Sequence, residues 1–401
     1  MWSKFQVHRT CPTRSPTNLS GSSKYGIKPS KNLTDSSQLK NKLSLYYKMS
    51  GGIAQLVAVG AQDVHLVGQP EVSFFRSTYK RHTNFSQTVE RQVIQGNVSN
   101  NGMSTVRFER KGDMLNYVYL VPNNGSATQA VADWRTVISK VEIMVGGQVI
   151  DEQDSTYSTL IAPTLSATSS SKSVAGDLYG GSTNERFYPL RFAFCENWQT
   201  ALPLIALQYH DVELRITWGG SAASHKWDVF ANYAYLDTQE REMFAAEPLN
   251  MLITQVQKAV SSGSKMQELN FNHPVKYLTA AGDDTDTTAA GGLAILNDDN
   301  KLKLQINGTD VADFKFANPN YTSVPLYYHT SHGNSTPATK LFTYPFCLET
   351  GKLQPTGTLN FSRLDSARII NDTRSVNKDI YAVNYNILRV ENGMAGLLYS
   401  N

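Results

Sequence analysis

A chain of 401 residues is too long for one hydrophobic core, and its 40% hydrophobic, 10% aromatic and 18% charged make-up suits many strands joined by polar turns. The net charge of +3 divides unevenly: residues 1–48 carry nine Lys/Arg against one acid, Asp35 (+8), whereas 49–401 carry 28 basic against 33 acidic residues (−5), so bulk charge does not mark the body as a nucleic-acid binder. Cys11, Cys195 and Cys347 are odd in number and far apart, which argues against a disulfide framework or zinc knuckle and fits a reducing compartment, and no apolar run of about 18 residues predicts a transmembrane helix.

Residues 1–48 are rich in Ser, Thr, Asn and Lys, lack hydrophobic periodicity and are expected to be mostly disordered. They also lack the apolar region of a secretory signal. Three accounts stay open: translation starting at Met49, a basic arm attracted to lipid headgroups or DNA phosphates, or a cleaved targeting piece. The apolar GGIAQLVAVGAQDVHLVGQP (51–70) suits a short helix or an extended arm. Strands are expected over 72–79, 88–98, 104–112 and 114–122, and a hairpin over 140–152 turns at Gly146-Gly147, a two-residue turn that needs positive φ. The Ser/Thr/Gly-rich stretch 152–187 reads as a surface excursion outside the core. Strand patterning returns at 187–194, 204–218 and 227–237. Residues 238–246 break it and predict a short connector helix, with Asp237 and Glu240 as a capping arrangement and Pro248 as a stop. The second half predicts strands near 251–260, 267–278, 302–311, 341–349, 358–371 and 379–393, with polar excursions at 279–300 and 312–340. Cys195 (in FAFC) and Cys347 (in PFCL) are expected to be buried thiols in strand-like runs.

The second half repeats the plan of the first. KVEIMVGGQVID (140–151) matches KLKLQINGTDV (301–311), Tyr188-Pro189 matches Tyr344-Pro345, and NYAYL (232–236) matches NYNIL (384–388), at offsets of 161, 156 and 152 residues. Collinear, slowly drifting offsets point to a duplicated domain. The expected fold is all-β: two tandem antiparallel eight-stranded jelly-roll β-sandwiches with short connector helices. The expected boundaries are 1–48 for a basic leader, 49–237 for the arm and first jelly roll, 238–249 for the connector and 250–401 for the second jelly roll.

Few residues suggest chemistry. His329 and His332 are three apart in a loop-like context without a nearby carboxylate, and read as a solvated pair. Asp283, Asp284, Asp286, Asp298 and Asp299 lack the calcium-loop spacing and read as a solvated acidic loop. His82, His210 and His273 are isolated, and His210 beside Asp211 reads as a structural histidine. No GxSxG, HExxH, P-loop or GxGxxG stands in a suitable context. Sequons stand at Asn84, Asn97, Asn124, Asn307, Asn320, Asn334, Asn360 and Asn371; many arise by chance in an Asn/Ser/Thr-rich chain, and without a secretory signal they do not imply glycosylation. No catalytic residue, metal or cofactor is expected.

Residues 51–85, GGIAQLVAVGAQDVHLVGQPEVSFFRSTYKRHTNF, resemble the N-terminal signature of the major capsid proteins of large nucleocytoplasmic DNA viruses, the algal-virus branch above all. ALPLIALQYHDVELRI (201–216), YLDTQERE (235–242), LNFNHPVKYL (269–278), LQPTGTLNFSRLDSARI (353–369) and IYAVNYNILRVENGMAGLLYSN (380–401) resemble the family's other blocks, in order. The resemblance covers about 49–401. It implies tandem jelly rolls, a homotrimer of pseudo-sixfold outline, and an icosahedral shell over an internal membrane, assembled in the host cytoplasm. It also implies minor capsid and penton partners; a basic 1–48 arm, read from its charge, would face inner membrane or DNA within such a shell. Two departures stand out: family chains usually begin near Met49, and the excursions between strands are short to moderate, so outward towers would be low. The alternative is a carbohydrate-binding or carbohydrate-active β-sandwich.

Overall fold

The computed structural model describes residues 56–175, 186–283, 287, 291–330 and 340–400. The expectations placed on 1–48, Met49, Cys11, Asp284, Asp286 and His332 lie outside them. Residues 56–80 belong to a unit of their own. Its described residues include the short helix Val64–Val67, and Leu56, Leu66, Phe74, Phe75 and Tyr79 are all exposed. The strand expected over 72–79 does not form, because its backbone groups have no partner strand among the described residues.

The second unit spans 81–401. Its first eight principal strands are β1 (Phe85–Gln92), β2 (Met103–Arg107), β3 (Met114–Asn123), β4 (Ile138–Val145), β5 (Gln148–Asp154), β6 (Tyr188–Pro189), β7 (Val212–Trp218) and β8 (Lys226–Leu236). They pair antiparallel in the orders β1-β8-β3-β6 and β2-β7-β4-β5. After the helix Thr238–Ala246 come β9 (Leu249–Ala259), β10 (Met266–Glu268), β11 (Pro274–Ala281), β12 (Lys301–Ile306), β13 (Thr309–Asp310), β14 (Leu341–Pro345), β15 (Ala367–Asn371) and β16 (Ile380–Glu391). Their orders are β9-β16-β11-β14 and β10-β15-β12-β13, the same permutation shifted by eight. Each set is a jelly roll, and the fold is a double jelly roll. Short segments at Ile94–Gln95, Leu202–Pro203, Lys315–Phe316 and Leu359–Asn360, with β17 (Met394–Leu397) against β16, carry the described strands beyond eight per sandwich.

Matching residues occupy matching places. Gly146-Gly147 turns β4 into β5 with φ of 57° and 83°, and Asn307-Gly308 turns β12 into β13 with φ of 49° and 78°. These are the left-handed values that a two-residue hairpin turn requires. Gly146 has a second constraint, since a Cβ there would lie 2.5 Å from the His210 ring. Tyr188 and Pro189 pair with Leu120 and Tyr119, while Tyr344 and Pro345 pair with Leu278 and Tyr277. In each half the ladder slips beside the Asn of the shared Asn-Tyr pair, between Ala231 and Tyr233 and between Val275 and Tyr277.

Burial follows the sequence pattern. In β7, VELRITW alternates between core and partly open positions, as a strand with one covered face does. The first core gathers Trp134, Trp218 and Trp227, with centroids 5.0 Å (Trp218–Trp227) and 5.9 Å (Trp134–Trp227) apart. Phe271, Phe342, Phe361, Leu278 and Leu302 fill the second. By contrast, β11 and β16 are buried on both faces.

The reason corrects the expectation for 152–187. A π-helical turn, Tyr157–Ile161, runs into the α-helix Ala162–Leu165, and Tyr157, Leu160, Ile161, Ala162 and Leu165 are all buried. They pack on Tyr277, Ala281, Leu341, Tyr381 and Val383, the outer face of the second sandwich's sheet. The Ser/Thr-rich composition conceals these apolar residues at helical spacing. The polar excursion expected at 279–300 likewise holds the end of β11 and the fully buried Leu293, Ile295 and Leu296, and 312–340 holds the helix Ser323–His329. Cys195 lies in a helical turn, Ala193–Glu196, and Cys347 just beyond β14, so neither is in a strand. Asp237 occupies the N-cap of Thr238–Ala246, but its side chain makes no capping bond.

Ile161→Ala is expected to destabilise the protein by about 2–5 kcal/mol, from lost burial and a cavity that cannot collapse. Gly146→Ala adds left-handed strain and a clash with His210. Calorimetric unfolding checks both: Tm should fall for each, and an unchanged Tm for Ile161→Ala would contradict the buried role of the segment.

Candidate functional site: the seam between the sandwiches

Strand β9 runs beside β5 and brings side chains of both sandwiches into one polar line. The Gln255 amide donates to the Ile150 carbonyl, and the Val256 N–H donates to Asp151 Oδ1 at 2.9 Å. Asp151 also accepts from Gln153 Nε2 at 2.9 Å. Burial pushes the Asp151 carboxyl up to about 7, against the opposing pull of those two donors. At the rim, Lys258 Nζ meets Asp154 at 2.6 Å and Asp379 at 3.0 Å, and the Tyr381 hydroxyl donates to Asp154 at 3.3 Å. Inside, Ser166 Oγ joins the hydroxyls of Tyr157 (2.7 Å) and Tyr277 (2.8 Å). A second rim contact pairs Asp283 with Arg135 and, at 2.5 Å, with Lys378. Partly exposed pairs of this kind contribute up to about 1 kcal/mol each and fix register more than stability.

The residues that sequence singled out for chemistry are dispersed. His329 ends the helix Ser323–His329, and its Nδ1 lies 2.9 Å from the Cys347 carbonyl and 3.2 Å from that of Leu348, so it is anchored and not a solvated loop residue. Among the acids expected to form a solvated loop, Asp298 and Asp299 are exposed and Asp283 partly so, and each also has a partner. Asp283 pairs across the seam, Asp298 accepts from Asn318 at 2.8 Å, and Asp299 takes a two-pronged bond from Arg374 at 3.0 and 2.6 Å. No cluster of three or more metal-ligating side chains occurs among the described residues. His210 Nδ1 sits 3.0 Å from the Ala395 carbonyl and 3.2 Å from its N–H, tying β17 to the approach to β7. Asp211 itself pairs with Arg107 at 2.5 Å and Arg110 at 3.5 Å. His82 Nδ1 lies 2.7 Å from the neighbouring Thr83 carbonyl, and the His273 N–H donates to Ser362 at 2.8 Å. Burial raises the Cys195 and Cys347 thiols above their ordinary range, which disfavours the thiolate; Cys347 is buried as expected, whereas Cys195 is only partly buried.

One surface feature escaped sequence reasoning. Tyr117, Tyr119, Phe187 and Trp198 line an open apolar groove of about 600 Å³ on the outside of β3 and β6. Tyr119 stacks on Phe230 at 5.4 Å and meets Phe187 edge-on at 6.1 Å. The alternation of β3 was the available signal, since it sends Tyr117 and Tyr119 to the outer face while Val118 and Leu120 enter the core.

Comparison with known proteins gives concordant results. Residues 73–239 match the family described as major capsid protein N-terminus, and 240–396 match large eukaryotic DNA virus major capsid protein. The chain is 34% identical to the major capsid protein of Pyramimonas orientalis virus and 33% identical to that of Paramecium bursaria Chlorella virus 1, in each case over 88% of this chain and all of the relative. The quasi-atomic structure of the PBCV-1 virus capsid superposes with a TM-score of 0.66 at 26% identity, over 82% of this chain and all of that one.

The seam carries a pH dependence. A carboxyl held near 7 in the fold but near 3.8 when unfolded contributes stability that is full below about 3.8 and is lost as pH rises through 7. Asp151→Asn should flatten the stability–pH curve between about 4 and 7, where the wild type loses up to about 1.4 kcal/mol per pH unit from this group. Urea titrations across that range check it, and parallel curves for the two proteins would remove Asp151 as the cause.

Proposed function

Because the chain belongs to the family of large eukaryotic DNA virus major capsid proteins, we propose that it forms homotrimeric capsomers of pseudo-hexagonal outline that tile an icosahedral shell. The observation that carries this reading is the repeated strand permutation. One chain supplies two wedges of the same architecture, fixed side by side by a buried seam. Three such chains in a closed ring place six wedges around a threefold axis, each meeting a neighbour's other wedge through a heterologous contact. Within a ring, the edge strands that would otherwise invite uncontrolled pairing are covered.

The domain boundaries follow the same logic: an arm and first jelly roll over 49–237, a connector over 238–249 centred on the helix Thr238–Ala246, and a second jelly roll over 250–401. We read the protein as structural, without catalytic residue, metal or cofactor. That reading rests on side chains that are anchored in pairs and on backbone, with no convergent nucleophile, base and oxyanion donor among the described residues. Minor capsid and penton proteins are its partners in the shell, and a basic 1–48 segment, where translated, faces membrane or DNA inside it. The exposed apolar side chains of 56–80 suit an arm that is covered only on assembly.

Size-exclusion chromatography with light scattering tests the trimer. A mass near three times 44.4 kDa is expected, with an interface above the roughly 2,000 Å² of many obligate assemblies. A monomer with sugar affinity would instead favour a carbohydrate-binding sandwich. Deleting 51–70 should impair trimer or shell formation while leaving the double jelly roll folded, and assembly at the wild-type rate after that deletion counts against the arm.

A further inference from the structure

A cavity of about 280 Å³ lies within the seam, bounded by β9, β11, β16 and segments of the first sandwich. Its lining is unusual for a structural joint. Lys276, at the slip in the β11 ladder, is only 5% exposed. Its ammonium donates to the carbonyls of Thr350 at 2.8 Å and Lys352 at 3.1 Å and lies 5.4 Å from the centre of the Tyr385 ring. Two of its three N–H donors are thus used, and it has no carboxylate partner among the described residues. The other charges on the lining are already spent: Arg191 and Lys172 converge on Glu196, both at 3.1 Å, and Lys352 pairs with Glu349 at 2.8 Å. Three further lining groups, the Tyr385 hydroxyl, Thr350 Oγ1 and Gln153 Oε1, are buried without a hydrogen-bond partner.

A buried cation without a counter-charge costs several kcal/mol, and each unsatisfied buried hydroxyl adds about 1–3 kcal/mol. Both costs fall on one cavity, and one occupant relieves them: an anion with several acceptor oxygens. We infer that the seam cavity is a binding site for a small tetrahedral oxyanion, of which inorganic phosphate is the simplest, with Lys276 as its charge partner and the Tyr385 and Thr350 hydroxyls as donors. Burial lowers the Lys276 ammonium to about 8, and a bound anion restores its preference for the charged form. Lys276, Thr350 and Tyr385 come from the second sandwich, and Gln153 Oε1 of the first can accept from the hydroxyl of a protonated phosphate, so the anion touches both. This site is independent of the capsid reading and holds for a chain of this fold whatever it assembles into.

Isothermal titration of the purified full-length protein with inorganic phosphate, at pH 7 and at ionic strength held constant with chloride, tests it. One saturable site per chain is expected, together with a phosphate-dependent rise in Tm that chloride does not reproduce. Lys276→Met, which keeps length and removes charge, should weaken binding by about ten-fold or more and abolish the Tm rise. Tyr385→Phe, which removes only the hydroxyl, should weaken binding by about three- to ten-fold in a protein that folds normally, and it decides the matter if Lys276→Met fails to fold. Absence of saturable binding by the wild type, or phosphate binding by Tyr385→Phe equal to wild type, would overturn the site. Acetate, with two coplanar oxygens, should bind more weakly, and acetate binding more tightly than phosphate would overturn the assigned ligand class.

Discussion

Strand β16 is the element on which everything else rests, because its side chains enter all three cores. Ile380 and Ala382 face the interior of their own sandwich, Tyr381 and Val383 face the seam, and Leu388 and Val390 reach the core of the first sandwich. An antiparallel strand usually shows water one of its faces. This one cannot, since both faces are apolar. The second sandwich therefore requires a cover, which the first provides with the helical segment Tyr157–Leu165. The orientation of one jelly roll against the other follows from that requirement. Seated there, the two halves bring Asp151 against Val256 and Lys258 against Asp154, and enclose the cavity around Lys276.

Much of this was legible in the sequence where local chemistry decides the structure. Gly146-Gly147 and Asn307-Gly308 announce two-residue turns because few other residues adopt their backbone conformation. The alternation of β7 and β3 announces half-covered strands. The repeat could be read because Tyr-Pro and Asn-Tyr pairs hold fixed positions in the ladders of both halves. Local reading failed where a distant partner decides. Tyr157, Leu160, Ile161 and Leu165 have helical spacing, but they are interspersed with Ser and Thr, and their burial depends on a sheet face built more than a hundred residues later. The 72–79 segment shows the converse, a strand-like pattern that found no sheet edge.

The candidate site was less legible than the fold, for a related reason. Histidines and carboxylates draw attention through their chemistry, yet His329, His210 and Asp299 are held by backbone carbonyls, an N–H or one arginine, arrangements that leave no trace in spacing. Lys276 drew no attention, because a lone lysine in an apolar strand normally points to solvent at its free end. The slip in the β11 ladder turns it inward instead, and that slip depends on the pairing with β16.

The position of β16 in the chain has a consequence for biosynthesis. It is the last long strand to leave the ribosome, and the contact between Asp154 and Tyr381 spans 227 residues of chain. None of the three cores can close until translation is nearly complete. Until then the cover segment, the tryptophan core and the face of β11 all hold apolar surface in search of a partner. Long-range closure of this kind is slow and exposes the nascent chain to aggregation. A chain that terminates early lacks the strand common to every core, and so loses the closure of all three at once.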